Sequence, residues 1–442
     1  MSESSRGPLR HFTCVGAYER CQAACMEPDR YRALLALPAN KPVIAMGAGL
    51  SLAGAGFSPD ALTVDMRHFN RILDLDQNGM TLHVEAGATL ASLFPFLADR
   101  GLMIAVQPGH PGITIGGCIA GNIHGKNQYR IGTFADLVEG IRLFHPAHGI
   151  LDLDRQRHAD VFELTVGGCG LTGILLSARI RLHPEAGRSC LVRHTPVAGM
   201  QEAVQQMKGQ QQHEDFMYSW HDVTPFGGSS GKGFLVSGRF VSGTHERNGW
   251  RNHPPLNHAS PWPLPVFNGL TLPIINGIYR RLKQGYAGTE DLFTSLFPFA
   301  IMPSYFHAYG PRGFIEHQVL IPDAHIIDYL ERFLALAHDF RQSFGMVSLK
   351  RFRGERKLLR YSGDGFSVGL HLPATPKAIR FLAQLDEIDT QFNGIANIIK
   401  DSRLSASVVA AQFPEYVQFR ERLATFDPGR IFTSMLSRRL AL

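Results

Sequence analysis

The chain has little cysteine: six residues in 442, at positions 14, 21, 25, 118, 169 and 190. None forms a CxxC pair or stands with a histidine at zinc-ligand spacing, so no metal site is expected. The reading that fits is reduced thiols, not a disulfide framework. If residues 17–25 are helical, Cys21 and Cys25 share a face. No uninterrupted apolar run reaches the roughly 20 residues that cross a bilayer. The polar stretch from Met1 to Arg10 is not followed by the apolar segment of a signal peptide, and the expectation is a cytoplasmic protein. Dense Lys/Arg tracts are also missing. The net charge of +6 is scattered along the chain, which argues against a nucleic-acid partner. A G-x-x-x-x-G-K-[ST] phosphate loop does not occur. Gly47 to Leu52 lacks the third glycine of a dinucleotide fingerprint, and Gly54, Gly56 and Pro59 prevent the helix that should follow it.

What the chain does have is glycine in special company. Pro108 to Gly125 holds six glycines with Ile113, Ile115, Ile119 and Ile123 spaced among them. Glycine clustered with apolar residues marks main chain that approaches something closely and stays there. A flat cofactor carrying a diphosphate fits, because bare N–H groups reach phosphate oxygens that side chains would block. A second cluster, Met46 to Gly56, follows the apolar run Val43–Ala45, and a third runs from Gly167 to Ile174. Hydrophobic content of 44% and charged content of 19% are globular values, and the length allows two domains. Strands are expected at 61–66, 80–85, 174–182, 233–237 and 317–321. Helices are expected from the Thr89 cap to Gly101, over 324–340 and over 414–423. The stretch 254–298, rich in proline and aromatics, reads as an irregular functional lid.

The order of these features resembles the FAD-binding PCMH-type flavoproteins of the vanillyl-alcohol-oxidase superfamily. Pro108-Gly109, Thr114, Gly116-Gly117, Ile119-Ala120 and His124-Gly125 follow that family's second flavin loop. Phe419 to Phe432 is similar to its closing segment. Within the superfamily the chain resembles the decaprenylphosphoryl-ribose 2′-oxidase group, the flavin half of an epimerising system. The motifs are Ile123-His124-Gly125-Lys126-Asn127, Ala308 to Phe314 and Lys400-Asp401-Ser402-Arg403, with weaker agreement at Trp220, Asp222, Lys350 and Arg438 to Leu440. Gly369 stands where mycobacterial members have cysteine. Leu52 and Leu296 replace tyrosines, and His371 replaces an aspartate.

The resemblance implies an α+β fold: a two-part FAD domain over 1–187, a substrate or cap domain over 188–395 on an antiparallel sheet with helices, and a segment, 396–442, returning to the FAD domain. It places FAD against Gly47, Ala48, Gly49, Leu50, Ser51 and Leu52, against Gly109, Thr114, Ile115, Gly116, Gly117, Gly121, Asn122, His124 and Gly125, and against Gly173 and Ile174. With no His, Cys or Tyr between Met46 and Ala61, the FAD is expected to be noncovalent. Flavin oxidation of an alcohol needs a proton acceptor and a stabilising cation. His124 and Lys400 are the catalytic candidates, with base and clamp unassigned between them. The plain alternatives are a histidine bonded inside a glycine turn and a strand-end lysine paired with Asp401. Gln318, Lys350 and Trp220 are the substrate candidates.

The implied activity is oxidation of a secondary sugar alcohol, a polyprenyl-phosphate-linked pentose, to a keto-sugar, with a short-chain reductase as partner. A soluble aldonolactone or sugar-alcohol oxidase and a flavin-retaining binding protein without turnover are the alternatives. Apolar residues from Trp262 to Tyr279, followed by Arg280, Arg281 and Lys283, suit peripheral contact of 261–285 with the inner membrane or a cap over the chain's own core.

Overall fold

Three strands of the second half, Met346–Phe352, Gly365–Pro373 and Phe314–Pro322, set apolar residues at most alternate positions, with His317 and Arg351 as polar exceptions. In the computed structural model they lie side by side, antiparallel. The structure describes residues 7–184, 187–224, 230–241, 262, 264–300 and 302–442. Because successive side chains of a strand point to opposite faces, this alternation gives the sheet two different surfaces. Ile315, Val319, Ile321, Val347, Leu349, Val368 and Leu370 face the helices Met200–Gln210, Ile326–Asp339 and Pro376–Gln391. There they form a large core with Tyr329, Phe333 and Phe381. Each such aliphatic side chain contributes about 1.5–3 kcal/mol by burial. Glu316, Gln318, Met346, Ser348, Lys350, Gly369 and His371 look the other way, into a cavity.

These strands are the centre of an eight-stranded antiparallel sheet. Its order is Ala287–Asp291, Ser189–Val197, Ser230–Val241, Phe216–Val223, Met346–Phe352, Gly365–Pro373, Phe314–Pro322 and Ile395–Ala396. Register aligns Trp220, Ser348, Gly369 and Gln318 in one row across it. The N-terminal half supplies a four-stranded sheet (Leu9–Thr13, Arg20–Met26, Leu62–Asp65, Val43–Met46). It also supplies an antiparallel five-stranded sheet built on Thr81–Glu85, Ile174–Arg181 and Val138–His145. The fold is α+β.

The helix begun by Thr89 forms as its sequence dictates. Thr89 and Ser92 cap reciprocally, Leu90, Leu93, Phe94 and Leu97 turn inward, and Gly101 closes the segment at φ 69°. The C-terminus folds back on the first glycine region: Val43 N–H donates to Ile431 O at 2.8 Å, and Thr433 N–H to Val43 O at 3.1 Å.

Two expectations need correction. Residues 20–26 are a strand, not a helix, because pairing with Leu9–Thr13 satisfies their main chain. Cys14 and Cys25 are buried there, and all six cysteines are free thiols. The stretch 254–298 is also more regular than its prolines suggest. Positions 254–261 and 263 lie outside the described residues, but Thr271–Lys283 is a helix, Ala287–Asp291 pairs with Ser189–Val197, and Leu292–Leu296 is a further helical turn. Pro273 sits in the first helical turn, where its missing N–H costs nothing. The helical period is masked because both faces carry apolar residues. Leu272 is buried, while Leu270, Ile274, Ile278 and Leu282 are 80%, 64%, 53% and 75% exposed. No helix among the described residues is long and apolar enough to cross a membrane.

Candidate active site

Main chain builds one end of the cavity. Gly47 to Leu52 leave the strand Val43–Met46, with Gly49 at φ 71°. Among the described residues, the N–H groups of Gly47, Ala48, Gly49 and Leu50 have no acceptor. Ser51 Oγ is turned into its own loop, accepting from the N–H groups of Ala53 and Ala55. Thr114 caps the helix Ile115–Ala120 by accepting from Gly117 N–H at 3.1 Å. The two loops touch at this cap. A Cβ on Gly47 would lie 2.2 Å from Thr114 Oγ1, so only glycine fits. Asn122 adopts φ 41°. Its Oδ1 accepts from Ala135 N–H, and its buried Nδ2 has no partner among the described residues. Gly173, at φ 147°, closes the third side against Phe144 O.

These loops line a cavity of about 350 Å³ that continues to the sheet floor. Unpaired N–H groups, an orphaned buried amide and glycines with no room for a Cβ fit FAD: a diphosphate at the N–H groups and a flat ring beside the second loop. Gly47, Ala48, Gly49, Leu50, Ser51, Leu52, Gly109, Thr114, Gly116, Gly117, Gly121, Asn122, His124, Gly125 and Gly173 all line the cavity. Ile115 and Ile174 do not. Their side chains are fully buried in two hydrophobic cores behind the loops, because each begins a regular element whose inner face it fills.

Side chains build the other end. Gln318 Oε1 accepts from Asn397 Nδ2 at 2.7 Å and lies 3.2 Å from His124 Nε2, which leaves the Gln318 Nε2 amide looking across Gly369. His124 is buried against Phe352 and Tyr361. Burial, then Lys350 and Lys400, push its imidazole down to about 3, so it is neutral near pH 7 and donates from Nε2. Trp220 is a wall, stacked on Phe234 and edge-on to Tyr279. Tyr309 is structural, packed between Phe267 and Phe314.

Three lysines face this chamber. Lys126 donates to the carbonyls of Ser295 and Leu296, and burial and then Lys350 bring it down to about 7. Lys350 has no hydrogen-bond partner among the described residues. Lys400 lies in the turn after Ile395–Ala396, 3.3 Å from Glu316 Oε1. Its sequence neighbour Asp401 is not its partner. Asp401 is buried between His317 Nδ1 at 2.8 Å and Arg403 Nη2 at 2.9 Å. Asp389 takes His317 Nε2 at 2.9 Å, and Arg403 also pairs with Asp386, so its guanidinium fills the His317–Asp386–Asp389 cluster. Burial opposes the charge on His317, but Asp389 and Asp401 outweigh it and raise the imidazole to about 10. This network ties the 397–403 turn to the strand that carries Gln318.

Sequence reasoning brought Gln318, Lys350, Lys400, His124 and Trp220 to one chamber, and the structure places them together. It missed Glu316, Asn397 and Tyr305 as working parts, and took His371 only as the replacement of an aspartate. The signal for Glu316 was faint: it stands two residues before Gln318 and shares its face, but the polar His317 between them covers the period.

Comparison with known proteins agrees with this geometry. An FAD binding domain model matches residues 28–154. The chain is 26% identical over 418 residues to decaprenylphosphoryl-beta-D-ribose oxidase of Mycolicibacterium smegmatis, covering 91% of this chain and 90% of the relative. It is 33% identical over 154 residues to D-lactate dehydrogenase [cytochrome] 1, mitochondrial, of Saccharomyces cerevisiae, covering 33% of this chain and 26% of that one. It is 31% identical over 157 residues to the mitochondrial L-galactono-1,4-lactone dehydrogenase of Arabidopsis thaliana, covering 36% and 25%. The two shorter matches share a cofactor-sized portion, whereas the first spans nearly everything.

Proposed function

Because this chain belongs to the FAD-binding PCMH-type flavoproteins and is an FAD-dependent oxidoreductase of alcohol groups, we propose that its substrate is a sugar carried on a polyprenyl phosphate. A secondary alcohol of that sugar, a pentose, is oxidised to a ketone. The observation that carries the reading is the charge of the chamber: among the described residues its wall bears three lysines and one carboxylate, Glu316. Oxidation of a neutral lactone would use Lys350 and Lys400 but gives no reason for Lys126, whereas a phosphate-bearing substrate does. The relative matched over nearly the whole chain supports the same class.

In this reading 1–187 holds the cofactor without a covalent bond, 188–395 holds the substrate, and 396–442 brings Lys400 back to the ring. Bound FAD supplies hydride acceptance. Lys400 stabilises negative charge on the reacting oxygen. Gln318, oriented by His124 and Asn397, donates to the sugar, and Trp220 and Lys350 complete its walls. His124 thus acts by positioning and not as the base. A short-chain reductase consuming the keto-sugar would complete an epimerisation.

The lid supports a second contact. Leu270 at the N-terminal cap and Ile274, Ile278 and Leu282 on Thr271–Lys283 form an exposed stripe, next to Arg280, Arg281 and Lys283 in the last turn. Such a face suits the surface of an anionic membrane. The inner face, through Leu272 and Tyr279, caps the substrate side. Replacing the four exposed residues by serine is expected to abolish salt-sensitive liposome binding with colour retained; unchanged binding would remove this contact.

The test of function is anaerobic flavin bleaching. A polyprenyl-phosphate pentose is expected to bleach the enzyme; bleaching by free aldonolactones alone would favour the lactone oxidase, and no bleaching a binding protein. Colour that stays with the polypeptide after acid precipitation would refute noncovalent attachment.

A further inference from the structure

We propose that Glu316 divides the work of two lysines: a positioning residue, it holds Lys400 as a fixed cation and leaves Lys350 as the amine that accepts the hydroxyl proton. The inference rests on the alcohol-oxidising reading above.

Glu316 Oε1 lies 3.3 Å from Lys400 Nζ, and Oε2 lies 3.4 Å from His371 Nε2. His371 Nδ1 is 2.8 Å from Tyr305 OH, which is 2.9 Å from Tyr309 OH. With the Nε2–H of His371 turned to the carboxylate, one direction satisfies this chain. Tyr309 O–H donates to Tyr305, Tyr305 O–H donates to Nδ1, and the Nε2–H faces the carboxylate. Every donor therefore runs toward Glu316. Burial works against its charge, but Lys400, His371 and Lys350 prevail and hold the carboxyl well below the usual range. Lys350 has no such anchor: no carboxylate lies within ion-pair distance of it among the described residues. Burial and then Lys400 bring it down to about 8, against the upward pull of Glu316. The charged or titratable groups that bear on it are Lys400 and Glu316, together with Lys126 and His124, both of which it lowers in turn. A base works best with its pKa near the operating pH, and two like groups driven to different states take different roles.

The step balances. The alcohol O–H breaks and its proton goes to the lone pair of Lys350 Nζ. The C–H pair leaves as hydride to oxidised flavin, the oxidant this activity supplies, and C–O becomes C=O. The substrate loses two electrons and two hydrogens, and the ammonium of Lys350 later releases its proton to solvent.

The experiment uses the FAD-loaded protein with two readouts. The first needs no substrate: competitive labelling of Lys350 by an amine-reactive reagent across pH, read by peptide mass spectrometry. Its midpoint is expected near pH 8 and should move to lower pH in Glu316→Gln, because the negative neighbour that favours the ammonium is gone. Glu316→Asp should return it toward wild type. The second is anaerobic flavin reduction. Lys350→Met should keep its colour and slow by about 100-fold or more. The rising limb of the pH profile should follow the labelling midpoint. Should Glu316→Gln lose flavin, Lys400→Met carries the test with the opposite sign: with the neighbouring cation gone, the Lys350 midpoint should move to higher pH. A labelling midpoint that stays put, or wild-type flavin reduction by Lys350→Met, overturns the proposal. If no sugar bleaches the flavin, the substrate reading has failed while the labelling still judges Glu316.

Discussion

Between Gly47 and Gly125 the wall of the cavity is main chain; across the sheet from Trp220 to Gln318 it is side chain. The first wall binds by having nothing in the way. Its N–H groups need no particular neighbours, only glycine wherever two loops meet. The second wall works by charges whose states depend on partners brought from distant strands and turns. Defects in the two should therefore separate: one should cost the cofactor, the other the reaction.

The largest effect on cofactor binding should come from the meeting point of the loops. Gly47→Val drives a Cβ into Thr114 Oγ1 and disturbs the cap on Gly117. Overpacking at about 1–3 kcal/mol plus a lost cap at about 1 kcal/mol weakens FAD by roughly 30- to 700-fold. The flavin-to-protein ratio after purification checks this; a fully yellow variant would break the comparison. The largest effect on the reaction should be that of Lys400→Met, which should keep its FAD while flavin reduction slows by about 100- to 1000-fold, as for loss of one electrostatic stabiliser.

Gly369→Ala should do less. Its Cβ would lie 3.0 Å from Ser348 Oγ, a hydroxyl that can turn aside, and 3.7 Å from Gln318 Nε2. Colour should be unchanged and KM should rise by about tenfold, the low end of what one methyl group in a pocket is worth, because the hydroxyl can yield. The smallest effect on function belongs to the His317 network. Its imidazole is raised from 6.5 to about 10 in the folded protein. That stabilisation is complete below pH 6.5 and is lost as pH rises through about 10. The melting temperature should accordingly fall between pH 7 and pH 10.5 more steeply than in His317→Asn, with the FAD content of the wild type constant over the lower part of that range.

The same contrast explains what was legible in the sequence. The glycine loops, the Thr89 cap and the apolar strands are local patterns, and each was readable in place. Lys400 was readable only through its motif, and its neighbour Asp401 pointed to the wrong partner. Its actual partner, Glu316, is 84 residues away, and Asn397 meets Gln318 across 79. Pairing over such distances is set by strand register, which no short window of sequence reports. On the strand itself, His317 hides the alternation, because a polar residue on the helix side breaks the period that would set Glu316 and Gln318 apart. The lid helix was missed for a similar reason: apolar residues on its outer face obscure the amphipathic period.

The most direct measurement is anaerobic flavin absorbance in Lys400→Met and wild-type enzyme matched for FAD content, each mixed with a polyprenyl-phosphate pentose. The account predicts that the wild type bleaches and the equally yellow variant does so at least about 100-fold more slowly. Equal bleaching of the two, or a wild type that stays yellow, would contradict it.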